Sequence, residues 1–395
     1  MDAIEELLSR AVDQIIPSRS ELESELRAGK KLKVYQGFDP TGEQLHIGHL
    51  VGLRKLRQWQ NLGHEVIFLV GDFTGMVGDP TGKDKARSVL THEQVMANAR
   101  TYKEQAGRVL RFEGDNPVMM KYNGDWLSRL SAVEVAKIAS LLSVQQVIER
   151  DMFQKRFAKG SDVSVSEFLY PLMQGYDSVV MDIDVEVGGS DQLFNMMTGR
   201  DLMHKIKRKN KFVMTTRLLA DAHGRKVGKT EGNAVGLMTP PGEMFGAIMS
   251  FDDSVLVECF ESLTTVPMDQ VGETRRRLER GENPMVLKKE LAHQIVREIH
   301  GEKEADMARG EFEAAFQGGE APEGLAQVRV SGPVTGSDLV DILVEQKLAL
   351  SRSQARRLLA QGGISYVGGE KIALESKIVR PATIRVGKRH FLKLS

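Results

Sequence analysis

Two short stretches of the sequence carry residue types that can bind phosphate. In YQGFDPTGEQLHIGHLVGLRKL, residues 35–56, His46 and His49 stand three positions apart with Gly48 between them, where a strand-like run gives way to a helical pattern. A helix N-terminus offers N–H groups and a partial positive charge, and imidazoles there can donate hydrogen bonds to phosphate oxygens. Gly48 would let a flat ligand such as a purine or ribose lie against the helix, and Thr41 adds a hydroxyl group.

Two other interpretations of the histidine pair remain. A metal site would need a third protein ligand, and the sequence has no cluster of His, Cys or acidic residues at matching spacing nearby. In a structural role, one histidine would pack and the other would cap the helix, which is the favoured interpretation for a lone histidine. Anion binding accounts for the glycine and both histidines together, so we favour it.

The second stretch is GRKVGKTEGN, residues 224–233, with Lys226, Lys229 and Thr230. It is rich in glycine, cationic and without strong periodicity, so we expect a mobile loop. Two ammonium groups there can follow the charge that moves as a triphosphate reaches its transition state. The spacing of a Walker loop is absent. An ordinary surface loop with lysines is the alternative, and this stretch alone would favour it.

A strand–helix–strand unit positions the histidines. LKVYQGF, residues 32–38, predicts a strand, and EVIFLVGD, residues 65–72, predicts a strand buried on both faces of a parallel sheet. Between them, apolar residues recur at helical spacing, at Leu50, Leu53, Leu56 and Trp59. Open parallel sheets bind ligands beyond the carboxyl ends of their strands, where residues 37–49 and 71–82 would lie.

The rest of the chain alternates between helical and irregular patterns. We expect an amphipathic N-terminal helix in MDAIEELLSRAVDQII, mostly helix over residues 95–175, a half-exposed strand in MDIDVEV and helices over residues 240–316. Asn283 and Pro284 are typical of a helix start. In YPLMQGYD, Tyr170, Gln174 and Asp177 share one helix face, which predicts either a pocket lining or an exposed polar stripe.

Composition sets the class of protein. The chain has 395 residues, 41% of them hydrophobic and 27% charged, which indicates an ordinary globular protein of two or three domains. It has no apolar run of the length of a membrane span and no signal-peptide pattern, so we expect neither. Cys259 is the only cysteine, which excludes an intrachain disulfide and a cysteine-based zinc site and fits a cytoplasmic protein.

The net charge of +0 is unevenly distributed. Residues 329–395 hold 12 Lys and Arg against 5 Asp and Glu, so this segment is basic and the remainder is acidic. A basic segment indicates a polyanion as partner, whereas a solvated face with clustered basic residues is an equally favoured alternative. QGGEAPEG, residues 317–324, precedes this basic segment and has the composition of a linker.

Together these motifs resemble a known family. HIGH at residues 46–49 and KVGKT at residues 226–230 resemble the two signatures of class I aminoacyl-tRNA synthetases, the second of which is usually written KMSKS. Val, Gly and Thr replace Met, Ser and Ser, and both lysines are kept. YQGFDPTGEQLHIGHL, GDPTGK, YPLMQGYD and GGSDQ are all similar to the bacterial tyrosine branch. The similarity extends over nearly the whole chain.

The resemblance implies an α/β fold with a Rossmann-like parallel-sheet nucleotide-binding catalytic domain, an α-helical domain and a small α+β RNA-binding domain. Its implied boundaries are residues 1–225 for the catalytic domain with a helical insertion at about 75–190, 226–318 for the signature loop and helical domain, 319–330 for a linker and 331–395 for the RNA-binding domain.

The resemblance also implies roles for individual residues. The phenol of a tyrosine substrate would be bound by Tyr35 and Asp177, its ammonium by Tyr170, Gln174 and Asp79, and its carboxylate region by Gln192. ATP would be bound by Gly37, Asp39, Gly48, Gly189, Asp191 and Lys229. The catalytic groups on its phosphates would be Thr41, His46, His49, Lys226, Lys229 and Thr230.

The implied reaction is a tyrosine–tRNA ligation. Its substrates would be L-tyrosine, ATP with Mg²⁺ and tRNA(Tyr), without a tightly bound protein metal site, and the chain would form a homodimer through the helical insertion. LALSRSQARRLLAQGGISYVGG resembles a small ribosomal-protein-like RNA-binding domain. There Ser351 would cap a helix from which Arg352, Arg356 and Arg357 meet tRNA phosphates. HKIKRKNKF, residues 204–212, is either an acceptor-stem contact or a solvated helix end.

Three rival functions remain. A tryptophanyl-tRNA synthetase shares the fold and both signatures, but Tyr35 with Asp177 and the basic C-terminal segment oppose it. An inactive relative that only binds RNA is opposed by the intact histidines and lysines. A different nucleotidyltransferase with the same histidine motif is opposed by the helical domain and the RNA-binding segment.

Overall fold

A computed structural model gives the fold for residues 1–81, 90–220, 229–230, 233–317, 327–328, 330, 334–346, 348–349, 351–366, 370–387 and 390–395. The chain forms two compact units, the first of Met1–Thr239 with Phe251–Leu291 and the second of Pro240–Ser250 with Ala292–Ser395. Within those residues, none of the helices combines the length and the apolar character that crossing a bilayer requires.

The first unit is built on a six-stranded sheet in the order β1-β6-β5-β2-β3-β4. Strand β1 is antiparallel to β6, and the other neighbours are parallel. The predicted mostly parallel sheet is therefore confirmed. Its strands are β1 (Val12–Ile16), β2 (Lys33–Phe38), β3 (Glu65–Val70), β4 (Met119–Tyr122), β5 (Val185–Gly189) and β6 (Phe212–Thr216).

Helices cover this sheet and form the region between β3 and β5. Up to residue 220 they are α1 (Ala3–Ser9), α2 (Arg19–Arg27), α3 (Ile47–Asn61), α4 (Thr74–Val77), α5 (His92–Ala99), α6 (Tyr102–Ala106), α7 (Gly124–Leu127), α8 (Ala132–Ala139), α9 (Val144–Ile148), α10 (Asp151–Ala158), α11 (Val165–Met181) and α12 (Leu193–Leu202). Short 3₁₀ and π turns, Ser190–Gln192 and Met203–Lys207, flank α12.

The predicted β2–α3–β3 unit is confirmed. Helix α3 buries its apolar face completely, at Leu50, Leu53, Leu56 and Trp59. Burial of each such side chain contributes about 1.5–3 kcal/mol to stability. Five of the six residues of β3 are buried, as expected for a strand covered on both faces. Phe38, the last residue of β2, stacks on Phe68 of β3 with ring centroids 4.4 Å apart.

Two local predictions were wrong, and one strand was missed. The N-terminal helix ends at Ser9, and Val12–Ile16 pairs with β6 as an edge strand, a long-range pairing that the local pattern does not contain. MDIDVEV is not a half-exposed strand, since Met181 ends α11 and β5 starts at Val185 and is buried. Strand β4, which pairs with β3, was not predicted.

Beyond residue 228, the helices are α13 (Pro241–Met249), α14 (Leu256–Leu263), α15 (Met268–Glu279), α16 (Pro284–His300), α17 (Glu302–Gln317), α18 (Gly336–Glu345) and α19 (Arg352–Ala360). The strands are β7 (Lys229–Thr230), β8 (Asn233–Ala234), β9 (Gln327–Val328), β10 (Val334–Thr335), β11 (Ile364–Tyr366), β12 (Lys377–Ile378), β13 (Ala382–Val386) and β14 (His390–Leu394). Helix α16 begins at Pro284 as predicted, with Oδ1 of Asn283 accepting from the N–H of Met285 at 3.0 Å.

The C-terminal part of the second unit is a small α+β fold. Its main sheet has the order β11-β13-β14-β9, and β10 pairs with β12. A separate core joins this sheet to α18 and α19 through Leu339, Leu343, Leu359, Ile384 and Leu392. The predicted linker, residues 319–330, lies outside the described residues except for Gln327–Val328 and Val330.

Candidate active site

The candidate site lies at the point where the sheet changes its winding direction. From β2 the chain continues to β3 on one side, and it later returns to place β5 on the other side of β2. Strands β2 and β5 pair only at Val34 with Val185 and Tyr35 with Glu186, so they are not paired at their carboxyl ends. Ligand sites of open α/β sheets occur in such a gap. Gly37, which follows in β2, is exposed there.

Tyr35 and Asp177 form a buried polar group at this gap. The hydroxyl of Tyr35, in β2, is 3.0 Å from Oγ of Ser178 on α11. Asp177, also on α11, accepts from Nδ2 of Asn123 at 3.1 Å and from Nε1 of Trp126 at 2.8 Å. All but Trp126 are almost completely buried. The predicted partners are thus near each other, but each is bonded to residues that the sequence did not single out.

Burial sets the protonation of both groups. It raises the pKa of the Tyr35 hydroxyl well above its ordinary value, and the charges of Glu186 and Asp177 add to this. The phenol of Tyr35 therefore stays protonated and able to donate. Burial also raises the pKa of the Asp177 carboxyl well above its ordinary value, while the hydrogen bonds from Asn123 and Trp126 oppose that rise.

A second carboxylate lies next to this pair. Glu186 of β5 accepts from Nε2 of Gln174 at 3.0 Å, and it forms an ion pair with Lys211, which precedes β6. Nζ of Lys211 also donates to Oγ of Ser178 at 2.9 Å. Burial lowers the pKa of Lys211, and the charge of Glu186 opposes the shift. Gln174 thus lies on the predicted face of α11, and its side-chain amide is held by the hydrogen bond to Glu186 of β5.

Asp39 connects the end of β2 to two helices. Its Oδ1 accepts from Oγ1 of Thr74 at 2.7 Å, and its Oδ2 accepts from the hydroxyl of Tyr170 at 2.8 Å. Gly71 is required here, because a Cβ at that position would lie 2.0 Å from Oδ1 of Asp39. Burial and the charge of Asp39 raise the pKa of Tyr170 well above its ordinary value.

Asp79 and Gln192 are joined directly. Nε2 of Gln192 donates to Oδ2 of Asp79 at 2.7 Å, and Oε1 of Gln192 accepts from Nδ2 of Asn195 at 3.0 Å. The other oxygen of Asp79 accepts from the N–H of Thr81 at 3.0 Å. Asn195 is fully buried. Its amide therefore fixes which end of the Gln192 amide faces Asp79.

His46 and His49 form a reciprocal cap at the start of α3. Nδ1 of His46 accepts from the N–H of Gly48, and Nδ1 of His49 accepts from the N–H of His46, both at 3.1 Å. The two rings stack with centroids 3.8 Å apart. Because Nδ1 accepts in each neutral ring, the ring proton lies on Nε2, and a phosphate oxygen needs such a donor. The capping interpretation is therefore confirmed, and anion binding stays a prediction that this geometry leaves compatible with the cap.

The structure gives a second reason for a glycine at position 48, which the sequence did not indicate. A Cβ at this position would lie 2.9 Å from Cε1 and 3.0 Å from Nδ1 of the His46 ring. The glycine thus lets the ring fold back onto the first turn of α3. Its own surface is exposed, as the docking of a flat ligand would require.

The residues just after the second signature segment bond to the backbone at the start of α3. Strands β7 and β8 pair as a short hairpin at Lys229–Thr230 and Asn233–Ala234. The chain then bonds to the residues before α3, with the N–H of Ile47 donating to Val235 O at 2.9 Å and the N–H of Leu237 donating to Leu45 O at 2.8 Å. The chain that follows the second signature is thus adjacent to the first signature. Lys226 lies outside the described residues.

The remaining predicted ATP residues line the strand ends. The N–H of Thr41 donates to Asp39 O at 2.7 Å in an exposed turn after β2. Gly189 ends β5, and a Cβ there would lie 2.6 Å from Oδ1 of Asp191. Asp191 belongs to the 3₁₀ turn that follows. These residues border the same gap between β2 and β5 as Gly37.

The predicted RNA-binding residues lie on α19, in the second unit. Oγ of Ser351 accepts from the N–H of Gln354 at 3.2 Å, so the predicted cap is confirmed. Arg352, Arg356 and Arg357 are exposed. Arg352 forms an ion pair with Asp341 of α18 at 2.6 Å, which the sequence did not predict.

Sequence reasoning missed five residues around Tyr35 and Asp177: Asn123, Trp126, Ser178, Glu186 and Lys211. Asn123 and Trp126 follow β4, the strand that was not predicted. A signal did exist, because one of only two tryptophans stands beside an Asn-Gly pair in KYNGDW. Nothing local indicates that Glu186 would be buried, since its cationic partner is 25 residues away in the chain.

Comparisons with known proteins identify the class of this chain. The model of the family described as tRNA synthetases class I (W and Y) matches residues 27–317, and that of the S4 domain matches residues 339–383. The chain belongs to the class I tRNA synthetases of this group, which confirms the resemblance.

Relatives narrow the group. A tyrosine–tRNA ligase of Thermotoga maritima is 40% identical over 394 residues, or 98% of this chain and 96% of its own length. One of Photobacterium profundum is 40% identical over 404 residues and all of both chains. A solved structure, a C-terminally truncated mitochondrial tyrosyl-tRNA synthetase of Coccidioides posadasii, has a TM-score of 0.64 at 26% identity and covers 78% of this chain and 91% of that one.

Proposed function

We propose that the chain is a tyrosine–tRNA ligase. It activates L-tyrosine with ATP, forming tyrosyl-adenylate and pyrophosphate, and then transfers tyrosine to the terminal ribose of tRNA(Tyr). The observation that supports tyrosine as the substrate is the buried pair of Tyr35 and Asp177 at the gap between β2 and β5. Tyr35 donates to the phenol oxygen, and the phenol hydroxyl donates to Asp177. Phenylalanine leaves both groups unpaired, which is costly for buried polar atoms.

The other end of tyrosine meets polar side chains from the loop after α4, from α11 and from the 3₁₀ turn before α12. Tyr170, Gln174 and Asp79 bind its ammonium, and Gln192 lies near its carboxylate. That carboxylate attacks the α-phosphorus of ATP in line: a C–O–P bond forms, the bond to the β-phosphate breaks and pyrophosphate leaves. We assign no covalent nucleophile to the protein, because positioning and electrostatic stabilisation supply the rate in such transfers.

ATP enters with Mg²⁺ on its phosphates. Gly37, Asp39, Gly48, Gly189 and Asp191 form its ribose and adenine region. Thr41, His46 and His49 bind its phosphates at the start of α3, and Lys226, Lys229 and Thr230 approach from the second signature segment. The backbone bonds between residues 45–47 and 235–237 support this convergence.

The test is amino-acid-dependent exchange of pyrophosphate into ATP, without tRNA, with tyrosine, tryptophan and phenylalanine in parallel. We expect efficient exchange with tyrosine, weak exchange with phenylalanine that is measurable only at high concentration, and none with tryptophan. Exchange with tryptophan would assign the chain to the other branch of the group. If no amino acid supports exchange, the chain is an RNA-binding relative without activation chemistry.

We also propose that the chain acts in the cytoplasm as a homodimer joined through the helical insertion. Helix α8 buries none of its residues, although it reads AVEVAKIA. Val133, Val144 and Val165, at the starts of α8, α9 and α11, are 63%, 63% and 73% exposed. Apolar surface of this kind is typical of an interface between subunits.

The dimer is tested with Val165→Asp, which places a charge on this surface. We expect the mass measured by light scattering to fall from two chains to one at micromolar concentration. Val379→Asp is the matched control, because Val379 is a similarly exposed valine, at 77%, in the second unit. A monomeric unmodified chain, or an unchanged mass in Val165→Asp, would contradict this interface.

A further inference from the structure

A buried ion pair adjoins the phenol end of the candidate site. Lys211 is fully buried, and its ammonium bonds one carboxylate oxygen of Glu186 and Oγ of Ser178. The other oxygen of Glu186 accepts from Gln174 at 3.0 Å. Ser178 in turn is bonded to the hydroxyl of Tyr35. Glu186 had no predicted role, and Lys211 belongs to residues 204–212, predicted as an acceptor-stem contact or a solvated helix end, which its complete burial contradicts at this position. The pair contacts Gln174 and Ser178 directly, and Ser178 connects it to Tyr35.

The fold leaves space for this ammonium group. A Cβ at Gly199 of α12 would lie 2.5 Å from Nζ of Lys211 and 3.2 Å from Cα of Gly175 on α11. A Cβ at Gly175 would lie 3.0 Å from the backbone N of Gly199. Helices α11 and α12 therefore cross at Gly175 and Gly199, and the ammonium group of Lys211 lies beside this crossing. A buried ion pair generally adds little stability compared with apolar residues of similar volume, so stability alone does not account for it.

We propose that Lys211 and Glu186 are positioning residues that direct the Tyr35 hydroxyl toward the phenol of the substrate. An ammonium group only donates, so Oγ of Ser178 accepts from Lys211. Oγ of Ser178 lies 3.0 Å from the Tyr35 oxygen but 3.4 Å from Glu186, which favours donation by Ser178 to Tyr35. The hydrogen of Tyr35 then points away from Ser178. The acceptor that the protein offers it, the backbone oxygen of Gln174, is 3.5 Å away, at the limit of a hydrogen bond, so a phenol oxygen of the ligand can take its place.

This inference rests on the proposed function and adds a means of selecting tyrosine. If Lys211 were absent, Ser178 would turn its hydrogen to the unpaired Glu186, and Tyr35 would donate to Ser178 instead of the substrate. The site would lose its donor for the phenol oxygen. Phenylalanine has no phenol oxygen, so its activation would not depend on the ion pair.

The test is Lys211→Met, assayed by pyrophosphate exchange with tyrosine and with phenylalanine. Losing a buried hydrogen bond to the substrate should raise the KM for tyrosine roughly tenfold to a hundredfold. The kcat with tyrosine, the KM for ATP and the kcat/KM for phenylalanine should each change less than about threefold, because none of them uses that bond. The preference for tyrosine over phenylalanine should therefore narrow.

Lys55→Met is the matched control for the loss of a buried lysine. Lys55 is also almost completely buried, and its ammonium donates to Leu7 O at 2.8 Å and Arg10 O at 2.7 Å, at the end of α1. We expect this variant to lower the melting temperature and to leave the preference for tyrosine unchanged. If Lys55→Met also narrowed the preference for tyrosine over phenylalanine, the effect of Lys211→Met would be explained by general destabilisation, and the inference would be overturned.

Two further variants keep the test valid if Lys211→Met does not fold. Glu186→Gln keeps the side-chain shape but removes the charge that opposes the lowering of the pKa of Lys211 by burial. A neutral amine can accept from Ser178, so the KM for tyrosine should rise in the same direction. Combining it with Lys211→Gln gives a neutral amide pair that can still donate to Ser178, and it should recover part of the preference.

Equal changes for tyrosine and phenylalanine, or a lower kcat at unchanged tyrosine KM, would overturn the role of Lys211 and Glu186. If the unmodified chain shows no exchange with tyrosine, the proposed function itself fails, which is a separate outcome.

Discussion

The two ends of the candidate site are constructed differently. At the phenol end, Tyr35, Asp177 and Ser178 are buried side chains, each with a hydrogen-bond partner already in place. At the phosphate end, His46 and His49 are partly exposed and owe their orientation to backbone N–H groups of the first turn of α3.

The difference indicates how selectivity and rate are divided. A buried polar group that loses its partner costs about 1–3 kcal/mol, so a rigid buried end discriminates between substrates that differ by one hydroxyl. Phosphates need donors and positive charge that act most strongly in the transition state. Substitutions at the phenol end should therefore change substrate preference, and those at the phosphate end should change the rate of adenylate formation.

The largest expected effect is at the phosphate end, in Lys229→Ala. Loss of a transition-state donor should lower the rate of adenylate formation on the order of a hundredfold or more, with little change in the KM for tyrosine. Pre-steady-state measurement of tyrosyl-adenylate formation checks this. Lys303→Ala, at an exposed lysine of α17, is the control and should behave like the unmodified chain. An unchanged rate in Lys229→Ala would remove the lysine from the mechanism.

Asp177→Asn should break the phenol end. We expect the preference for tyrosine over phenylalanine to fall roughly tenfold to a hundredfold, because the amide is a weaker acceptor for the phenol hydroxyl. The unmodified chain should show a related pH effect. Because the pKa of Asp177 is raised, its carboxylate gains a proton on acidification at a higher pH than an ordinary aspartate, and the KM for tyrosine should then rise.

The pH effect should be absent in Asp177→Asn, and it should be absent for phenylalanine in the unmodified chain. The measurement is pyrophosphate exchange across the acidic range in which the chain remains folded. An identical pH dependence of the KM in both proteins would assign the titration to another group.

His46→Asn separates the two functions of the histidine pair. Asparagine is among the best residues at a helix N-cap, so the bond to the N–H of Gly48 should be kept and the melting temperature should not change. The ring donor is lost, and adenylate formation should fall about tenfold. His46→Ala should lower both, with about 1 kcal/mol of stability lost with the cap. Full activity in His46→Asn would leave the ring with only its capping role.

The smallest effect on activation is expected from Arg356→Glu combined with Arg357→Glu, in the second unit. Both residues are exposed on α19, where phosphate contacts would be made. Binding of tRNA should weaken and its dependence on salt should flatten, while pyrophosphate exchange is unchanged. Altered exchange would mean that the two ends of the candidate site do not act independently of this helix.

Elements of the fold that depend on interactions between residues near each other in the chain were predicted, and elements that depend on distant residues were not. The β2–α3–β3 unit and α16 have local apolar periods or caps, and all were predicted. Strand β1 was taken for helix because its pairing with β6 joins residues about 200 positions apart. Strand β4 was missed because its four residues are only partly buried and pair solely with β3.

The residues of the candidate site also fall into those that local spacing predicts and those that only tertiary contacts reveal. The spacing of Tyr170, Gln174 and Asp177 placed them on one face of α11, as the structure has them. Ser178 and Lys211 could not be predicted, because their importance comes from a contact between α11 and the residue before β6. Motifs identify the residues expected to touch substrate, whereas the residues that hold them are determined by tertiary packing.

The backbone bonds between residues 45–47 and 235–237 have a consequence for how Lys229 works. Lys229 precedes Val235 by six positions, and an extended chain of that length spans about 20 Å. The backbone of Lys229 is therefore tethered within about 20 Å of the start of α3. A short tether corresponds to an effective concentration on the order of millimolar. If Lys229 contacts the phosphates of ATP as proposed, that contact is an intramolecular event, and lengthening the chain between Lys229 and Val235 would dilute the lysine without altering any side chain.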